Sequence, residues 1–494
     1  MKNLSVFAAV LAVFSLYGKI VPSAIFSDNM VLQRDKANPV WGSAEPGEKI
    51  TVQFAGQTKT VSAGKDGSWM LKLDPLQTST QGREMKISSG DEIIVFKNIL
   101  VGDLWLCGGQ SNMEMNFEKR WALTNREQEL KATANDLIRH VKIEHQMSSV
   151  PVENIRCSRW AVSAPENNEK LTAAGYFFAR EIVRETGIPI GIIDNSWSAS
   201  RIEPYIPYEA FIANRQYLGD FADKLENSFT DVPQGKKYQK TADGDTLNHA
   251  TLRYNKMVHP LRHIPVKGVL WYQGCTNAYE SRYHYLMKAL VEGWRQAWGY
   301  EFPFYYVQLS TLDNHYSYFA YTGFASLREQ QRKALKLIPN SAMVVTIDIG
   351  IPYDIHPKNK QDVGKRLAKI ALARDYGKNI VYSGPTYREM KIEGRQIRIF
   401  LDNADGLRHA IKSGLNEPGA PRARIANFAI AGEDQNWWNA DVTIDGNTLI
   451  ISSKYVDKPV AVRHAFAGYT YFPISIYNGA GLPLEPFRTD DWGK

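Results

Sequence analysis

The chain has 494 residues, of which 44% are hydrophobic and 22% charged, as is typical of a globular protein long enough for two or three domains. Its 59 basic and 52 acidic residues are spread along the chain and give a net charge of +7, without the basic runs that nucleic-acid-binding proteins show. Three scattered cysteines, Cys107, Cys157 and Cys275, are too few for a disulfide framework or a zinc site and allow at most one bridge.

Residues 1–18 are predicted to be a secretory signal peptide. Lys2 precedes the apolar run from Leu4 to Leu16, and small or polar residues follow that run. The run is too short for a transmembrane helix, and no later stretch of the sequence stays apolar for the required length. An uncleaved anchor is the alternative interpretation. We expect the mature protein to be secreted or periplasmic, with no attachment to a membrane.

Residues 19–99 are predicted to form an N-terminal β-sandwich-like domain. Strand-like runs alternate there with turn formers, such as Glu45-Pro46-Gly47 and Asp66-Gly67. No acid, base and nucleophile cluster in this segment. A structural or carbohydrate-facing role is therefore expected.

From residue 100 to residue 376 the pattern changes to strands separated by long helices, which predicts an α/β domain with a five-stranded parallel sheet. A mostly polar helical pattern covers Glu118 to His140. The predicted strands are Leu100–Cys107, Ile190–Ile193, Val266–Tyr272, Phe302–Leu309 and Ala342–Ile347, and the other predicted helices are Lys170–Thr186, Tyr279–Trp298, Phe324–Leu337 and Lys360–Tyr376.

Ser111 is the candidate nucleophile of this domain. It follows an apolar strand and two glycines in VGDLWLCGGQSNMEM, residues 101–115. A tight turn at the carboxyl end of such a strand lifts the next side chains into the crevice where open sheets bind ligands. An ordinary structural turn is the alternative, because serine is common in loops.

His356 is the best candidate for the base that a serine hydroxyl needs near neutral pH. It lies in a Gly/Pro-rich loop between the last predicted strand and a helix, with Asp354 two residues before it. Asp354 is the candidate acid that orients the imidazole. Alternatively, Asp354 caps the helix near Lys360 or pairs with Lys358.

Residues 377–494 return to strand-like runs and are predicted to form a C-terminal β-rich domain. Asp445-Gly446-Asn447 indicates a hairpin between two apolar runs. Trp437 and Trp438 fit either stacking on sugar rings or filling the core, and the core is favoured because paired tryptophans are mostly buried.

Several blocks of the chain resemble the sialate O-acetylesterase family, a branch of the SGNH hydrolases. The blocks are FSDNMVLQRD (26–35), GDLWLCGGQSNMEM (102–115), VLWYQGCTN (269–277), TIDIGIPYDIHPKNKQDVGKRLA (346–368) and GLPLEPFRTDDW (481–492). The resemblance implies an SGNH-type three-layer α/β/α domain, flanked by N- and C-terminal β-rich domains.

The same resemblance implies roles for particular residues. It makes Ser111 the nucleophile and His356 the general base. The implied oxyanion donors are the backbone N–H of Ser111, the backbone N–H of Ser198 and the side chain of Asn277. Neighbouring residues of these blocks, Gln110, Trp197, Arg201 and Gln273, are expected to contact substrate, although a surface arginine is the commoner outcome for Arg201.

This chain departs from the family pattern in three places. The usual Trp-Gly-Gly-Thr is replaced by Trp197-Ser198-Ala199-Ser200, and the new β-carbons are expected to narrow the acyl pocket. The usual Gln-Gly-Glu ends in Cys275, so a carboxylate is missing. The aspartate that many SGNH enzymes place three residues before the histidine is replaced by Tyr353.

The sequence therefore predicts an exported serine esterase that removes O-acetyl groups from carbohydrates, with no metal and no cofactor. A catalytically weak relative that binds acetylated glycans is the alternative, and an esterase for other glycan-linked acyl groups is a third. The expected partner is an acetylated carbohydrate, with no nucleic acid. The sequence does not predict the sugar or the oligomeric state.

Overall fold

The computed structural model describes residues 20–118, 123–219, 223, 249–312, 323–351, 353–421, 424–468, 470 and 472–492. The predicted signal peptide at residues 1–18 lies outside this part of the chain. None of the helices described is both long and apolar enough to span a membrane.

The N-terminal strands form two small antiparallel arrangements. Strands β1, β3 and β6 make one sheet in the order β1-β3-β6, while β4, β5 and β7 extend the sheet that contains β8, and β2 lies parallel to β8. The bounds are β1 (Ile20–Pro22), β2 (Val31–Gln33), β3 (Asn38–Ala44), β4 (Lys49–Phe54), β5 (Gln57–Ser62), β6 (Ser68–Leu73), β7 (Ser79–Ser89) and β8 (Glu92–Gly109).

The central sheet places the carboxyl-terminal half of β8 among parallel neighbours. Its other strands are β9 (Asn135–Lys142), β10 (Ala161–Ser163), β11 (Ile190–Ser196), β12 (Gly268–Tyr272), β13 (Phe304–Val307) and β14 (Ser341–Val344). The order is β10-β9-β11-β8-β12-β13-β14, and every neighbouring pair is parallel except β9 with β10. All five predicted strands are present, but the prediction of five parallel strands missed β9.

The helices connect these strands. They are α1 (Ser111–Glu114), α2 (Arg126–Lys131), α3 (Ala173–Thr186), α4 (Tyr208–Ala213), α5 (Arg215–Leu218), α6 (Tyr283–Trp298), α7 (Gly323–Ala334) and α8 (Lys360–Arg374). The mostly polar helical pattern predicted within Glu118 to His140 corresponds to the short helix α2, after which the chain enters β9, a strand that the sequence did not predict. Thr172 caps α3 by accepting a hydrogen bond from the Gly175 N–H (3.3 Å), and Gly187 ends α3 with φ +68°.

Helices cover both faces of the central sheet. A β-carbon on Gly175 of α3 would lie 3.1 Å from Cys107 Sγ, whereas one on the next strand residue, Gly108, would meet the rings of Trp271 and of Trp294 in α6. Successive residues of a strand face opposite sides. Helices α3 and α6 therefore lie on opposite faces, with the sheet between them.

The C-terminal strands form antiparallel sheets. The first has the order β15-β16-β21-β20, the second β19-β18-β22-β24, and β17 pairs with β23. Gly446 and Asn447 make the tight reversal between β20 and β21, which confirms the predicted hairpin. The bounds are β15 (Thr386–Glu393), β16 (Gln396–Asp402), β17 (Arg408–His409), β18 (Phe428–Gly432), β19 (Trp437–Asn439), β20 (Asp441–Asp445), β21 (Thr448–Ser452), β22 (Pro459–His464), β23 (Ile476–Tyr477) and β24 (Phe487–Arg488).

The hydrophobic core is continuous across the first predicted domain boundary, between residues 99 and 100. Strand β8 is continuous across residues 99 and 100, and one cluster of buried side chains runs from Ile20 to Leu372. A separate cluster, with members such as Ile399 and Leu449, fills the C-terminal sheets. The division of the chain into domains stays a prediction.

A buried ion pair joins α8 to the C-terminal strands. The guanidinium of Arg366 donates to both carboxylate oxygens of Asp348 at 2.7 and 2.6 Å, and the hydroxyl of Tyr477 in β23 donates to the same carboxylate at 3.4 Å. Burial of a paired charge is tolerated when such hydrogen bonds are made. Asp348 therefore has a structural role.

Candidate active site

Ser111 stands at the carboxyl end of the central strand. Gly109, the last residue of β8, has φ +133°, and a β-carbon there would lie only 2.2 Å from the Tyr272 carbonyl oxygen. Only glycine fits this close approach to β12. The chain turns at Gln110 and begins α1 with Ser111, whose backbone N–H lies at the first helical position, where helices leave N–H groups without an internal acceptor.

The structure brings Ser111 together with His356 and Asp354. The Ser111 Oγ and His356 Nε2 are 2.9 Å apart, although 245 residues separate them in the sequence. Asp354 Oδ1 lies 3.6 Å from His356 Nδ1, which is beyond a good hydrogen bond, and accepts the backbone N–H of His356 at 2.8 Å. Asp354 thus fixes the backbone of this loop more firmly than it fixes the imidazole ring.

The surroundings of His356 favour the neutral form of its imidazole. Burial lowers the pKa of His356 below its usual value, and the nearby Lys360 ammonium lowers it further, while the Asp354 carboxylate acts in the opposite direction. A neutral imidazole can accept a proton. The net lowering therefore favours the form that a general base requires.

Asn112 and Lys360 link the serine to the histidine loop. Asn112 Nδ2 donates to the Ile355 carbonyl at 2.8 Å, next to His356. The buried Lys360 Nζ donates to Asn112 Oδ1 at 2.7 Å and to the Pro357 carbonyl at 2.9 Å. Burial lowers the pKa of Lys360 to about 7. The sequence reasoning missed both residues, although Asn112 follows the serine directly and Lys360 opens the helix after His356.

Cys275 lies beside this link as a neutral thiol. Its Sγ is 3.8 Å from Asn112 Nδ2, and burial raises the pKa of the thiol to about 11. Thiolates, not thiols, are the nucleophilic form, so this environment does not activate Cys275. All three cysteines are free. In place of the carboxylate of similar proteins, Lys360 therefore faces an uncharged group.

The loop after β11 is held by a carboxylate. Glu114 Oε2 accepts hydrogen bonds from the Ser198 backbone N–H at 2.7 Å and from the Ser198 hydroxyl at 2.5 Å. The other oxygen of Glu114 is 2.9 Å from His145 Nε2 and 3.3 Å from Lys142 Nζ. These partners hold the pKa of Glu114 well below its usual range, at about 2. The N–H of Ser198, an expected oxyanion donor, is thus directed to Glu114.

Asn277 is also placed differently from the expectation. Its Nδ2 donates to both carboxylate oxygens of Glu203 at 3.1 and 3.0 Å, and its Oδ1 accepts the Ile202 N–H at 3.1 Å. The side chain is buried, so each of its polar atoms needs an internal partner. Of the three expected oxyanion donors, the N–H of Ser111 alone has no such competing partner among the hydrogen bonds of the described residues.

Gln110 and Gln273 serve the framework of the site. Gln110 Oε1 accepts the Gly274 N–H at 3.0 Å. Gln273 Nε2 donates to the Ser200 carbonyl at 2.9 Å and to Asn277 Oδ1 at 2.8 Å. Both glutamines are buried. Their contacts fix the loops around the serine, and their expected contact with substrate stays a prediction.

Trp197 and Arg201 are engaged by protein neighbours. The ring of Trp197 stacks on His145 with centroids 4.5 Å apart, and the Arg253 guanidinium lies 4.3 Å from the Trp197 ring centre. Arg201 pairs with Glu203 at 3.0 Å while remaining partly exposed. The ring of Trp197 is therefore held in place by two neighbouring side chains, and Arg201 remains partly exposed to solvent.

In the described part of the chain, no group of three or more His, Cys, Asp or Glu side chains is placed to hold a metal ion.

Comparisons with known proteins cover this site and almost the whole chain. A family model described as carbohydrate esterase, sialic acid-specific acetylesterase matches residues 101–373. Sialate O-acetylesterase of Rattus norvegicus is 28% identical over 522 residues, covering 94% of this chain and 93% of the relative. That of Mus musculus is 29% identical over 421 residues, covering 75% and 76%. A carbohydrate acetylesterase from Xanthomonas citri has a crystal structure with a TM-score of 0.81 and 33% identity, covering 96% of this chain and 100% of that one.

Proposed function

The chain belongs to the sialic acid-specific acetylesterase family of carbohydrate esterases, and from this membership we propose that it removes O-acetyl groups from carbohydrates through an acyl-enzyme on Ser111. The observation that carries the proposal is the 2.9 Å separation of Ser111 Oγ and His356 Nε2 at the carboxyl edge of a parallel sheet. The domain is accordingly proposed to be of the SGNH type.

In the first half of the reaction, neutral His356 takes the proton of the Ser111 hydroxyl as the oxygen attacks the acetyl carbonyl. The backbone N–H of Ser111 donates to the oxyanion that forms. The imidazolium then gives its proton to the departing sugar oxygen, and Asp354 stabilises the imidazolium charge. In the second half, His356 takes a proton from a water molecule that attacks the acetyl carbonyl, and the imidazolium returns this proton to Ser111 Oγ as the bond to Oγ breaks and acetate leaves.

The proposal is tested by measuring acetate release from acetylated sialic acid, acetylated xylan and pectin fragments. Ser111→Ala should lower turnover by a factor on the order of a million while leaving the fold intact, because a nucleophile has no substitute. The matched control is Ser62→Ala, an exposed serine of β5, which should keep wild-type rates. Acetate release by purified Ser111→Ala at the control rate would overturn the assignment of Ser111.

A binding role is the second candidate, and one observation favours it. Ser198 and Asn277 direct their donors to Glu114 and Glu203 rather than to an open position beside Ser111. A site with one oxyanion donor loses much of the usual transition-state stabilisation. If the wild type bound acetylated glycans but released no acetate above the Ser111→Ala background, this second function would replace the first.

Export is part of the proposal, and it rests on the apolar run from Leu4 to Leu16. Determining the N-terminal residue of protein recovered from outside the cytoplasm tests it.

A further inference from the structure

Trp438 and Tyr455 expose two stacked aromatic rings on the C-terminal sheets. Trp438 is 42% exposed and Tyr455 is 59% exposed. Their ring centroids are 4.6 Å apart with an angle of 28° between the planes. The prediction that the tryptophan pair fills the core is therefore wrong for Trp438. Exposed apolar surface of this kind marks binding sites more often than it serves stability.

The neighbouring Trp437, unlike Trp438, packs its ring against other side chains. Its ring lies 4.1 Å from the Arg463 guanidinium and 5.6 Å from the Trp492 ring. Successive residues of β19 face opposite sides, so one tryptophan turns towards protein and the next towards solvent. Packing explains Trp437 and leaves the exposed face of Trp438 without a structural purpose.

The two rings form one side of a cleft of about 290 Å³. At the liquid volume of about 30 Å³ per water, the cleft holds on the order of ten water molecules, which is the scale of a single sugar ring with its hydroxyls. The remaining lining residues are Gly432, Glu433, Asp434, Val456, Asp457 and Lys458.

The rings of Trp438 and Tyr455 are held in place before any ligand binds. Trp438 is in register with Ile430 of the neighbouring strand β18. Tyr455 donates its N–H to the Ser453 hydroxyl at 3.4 Å, and the Val456 N–H donates to the Ser453 carbonyl at 3.2 Å. A preformed surface loses little conformational entropy on binding.

The chemistry of the cleft fits a neutral sugar. The C–H face of a sugar ring is apolar and matches aromatic rings, while its hydroxyls donate to carboxylates and accept from an ammonium group. Three acidic side chains, Glu433, Asp434 and Asp457, line the cleft together with one basic side chain, Lys458. Because Arg395 pairs with Asp457 and the Lys454 ammonium lies 4.9 Å from the Tyr455 ring centre, the charges around the cleft are nearly balanced. Stacking on the two rings therefore favours a sugar that brings no charge to desolvate.

We propose that Trp438 and Tyr455 form a binding platform for a neutral glycan chain, separate from Ser111. The choice of a glycan rests on the proposed function. The platform belongs to the C-terminal sheets, whose hydrophobic core is distinct from the one around Ser111. Binding there holds the enzyme on the polymer without taking part in ester hydrolysis.

The test uses the full chain with Ser111→Ala, so that no ester chemistry is needed. Neutral xylo-, cello- and mannohexaose are titrated calorimetrically beside a carboxylated galacturonic acid hexamer. We expect at least one neutral hexamer to bind about tenfold more tightly than the carboxylated one. Adding Trp438→Ala or Tyr455→Ala should weaken that binding about tenfold, which corresponds to about 1.4 kcal/mol. Tyr382→Ala, an exposed tyrosine outside the cleft, is the matched control and should bind normally.

Three results would overturn the proposal: no neutral hexamer binding at millimolar concentration, preference for the carboxylated hexamer, or unchanged binding by folded Trp438→Ala. With Ser111 intact, Trp438→Ala should hydrolyse p-nitrophenyl acetate within twofold of the wild type, and a larger loss would also contradict a separate site. Because the titration needs no turnover, absence of esterase activity would refute the proposed function and leave the platform standing.

Discussion

One residue, Lys360, affects the pKa of the proposed base His356. Lys360 places a buried ammonium near His356, and it also holds Asn112 and the carbonyl of Pro357 by hydrogen bonds. Cys275, which lies near Lys360, is a neutral thiol and adds no negative charge there. Burial lowers the pKa of Lys360 to about 7, so below that pH its ammonium is present and lowers the pKa of His356.

Removing this charge by Lys360→Met should raise the pKa of His356. The imidazole then stays protonated, and inactive as a base, up to a higher pH. We expect the acid limb of the kcat/KM profile to move to higher pH. Lys358→Met removes an exposed lysine two residues from His356 and should leave the limb in place. A limb that moved equally in both variants, or to lower pH in Lys360→Met, would contradict this role for Lys360.

The residues of the site were predictable to different degrees. Ser111, His356 and Asp354 could be found because strand ends and the loops after them converge at one edge of a parallel sheet. The engagement of Ser198 and Asn277 could not be found, because it depends on where the side chains of Glu114 and Glu203 point. Sequence patterns fix which loop a donor occupies, whereas its hydrogen-bond partner depends on packing between distant segments.

Among the elements, the loop from Trp197 to Ser200 departs most from its relatives. Ala199 has φ +58°, in the left-handed region where similar proteins have glycine. Ser198, by contrast, gives Glu114 a hydroxyl contact that glycine cannot make. The two positions therefore differ: a side chain at Ala199 strains the backbone, whereas the side chain of Ser198 makes a hydrogen bond. The expectation that both β-carbons crowd the acyl pocket does not include this difference.

Ala199→Gly should stabilise the protein by about 0.5–1 kcal/mol, because relief of left-handed strain exceeds the entropy that glycine adds to the unfolded chain. Ser198→Gly should destabilise it by about 1–2 kcal/mol, because a hydrogen bond to a charged group is lost. Urea unfolding midpoints of the two variants and the wild type measure both changes. Stabilisation by Ser198→Gly would show that the loop does not depend on the hydroxyl contact with Glu114, and destabilisation by Ala199→Gly would show that Ala199 is not strained.

Strand β9 shows why one element escaped sequence-based prediction. Its apolar residues Leu137, Ile138 and Val141 fit a helix as well as a strand, and polar residues precede them. The segment is a strand because it pairs with β11 on one side and β10 on the other. Such tertiary pairing overrides local preference and cannot be read from the segment itself. The long helices α3, α6 and α8 were predicted to within a few residues.

At the scale of the whole molecule, β8 joins the N-terminal strands to the catalytic sheet. Its first half pairs with β7 and its second half with β11 and β12. The N-terminal residues share one hydrophobic cluster with the rest of the catalytic region. The segment before residue 100 is thus part of the core that positions Ser111.

A chain that starts at residue 100 should therefore fail to fold, although it retains Ser111 and His356. It loses the pairing of β7 with β8 and exposes apolar residues of the shared core to water. Circular dichroism and solubility are compared with a chain that starts at residue 20, which keeps every described strand and should fold normally. Cooperative unfolding of the shorter chain would show that the catalytic sheet is independent of the N-terminal strands.

The distance along the chain between Ser111 and His356 also sets when the protein can first react. His356 lies 245 positions after Ser111, and this stretch takes on the order of 10–50 seconds to synthesise at about 5–20 residues per second. During that time the growing polypeptide carries the hydroxyl without its imidazole. A ribosome that stalls before the histidine loop thus releases a product that is chemically silent, and esterase chemistry begins only once α8 has been synthesised and docked.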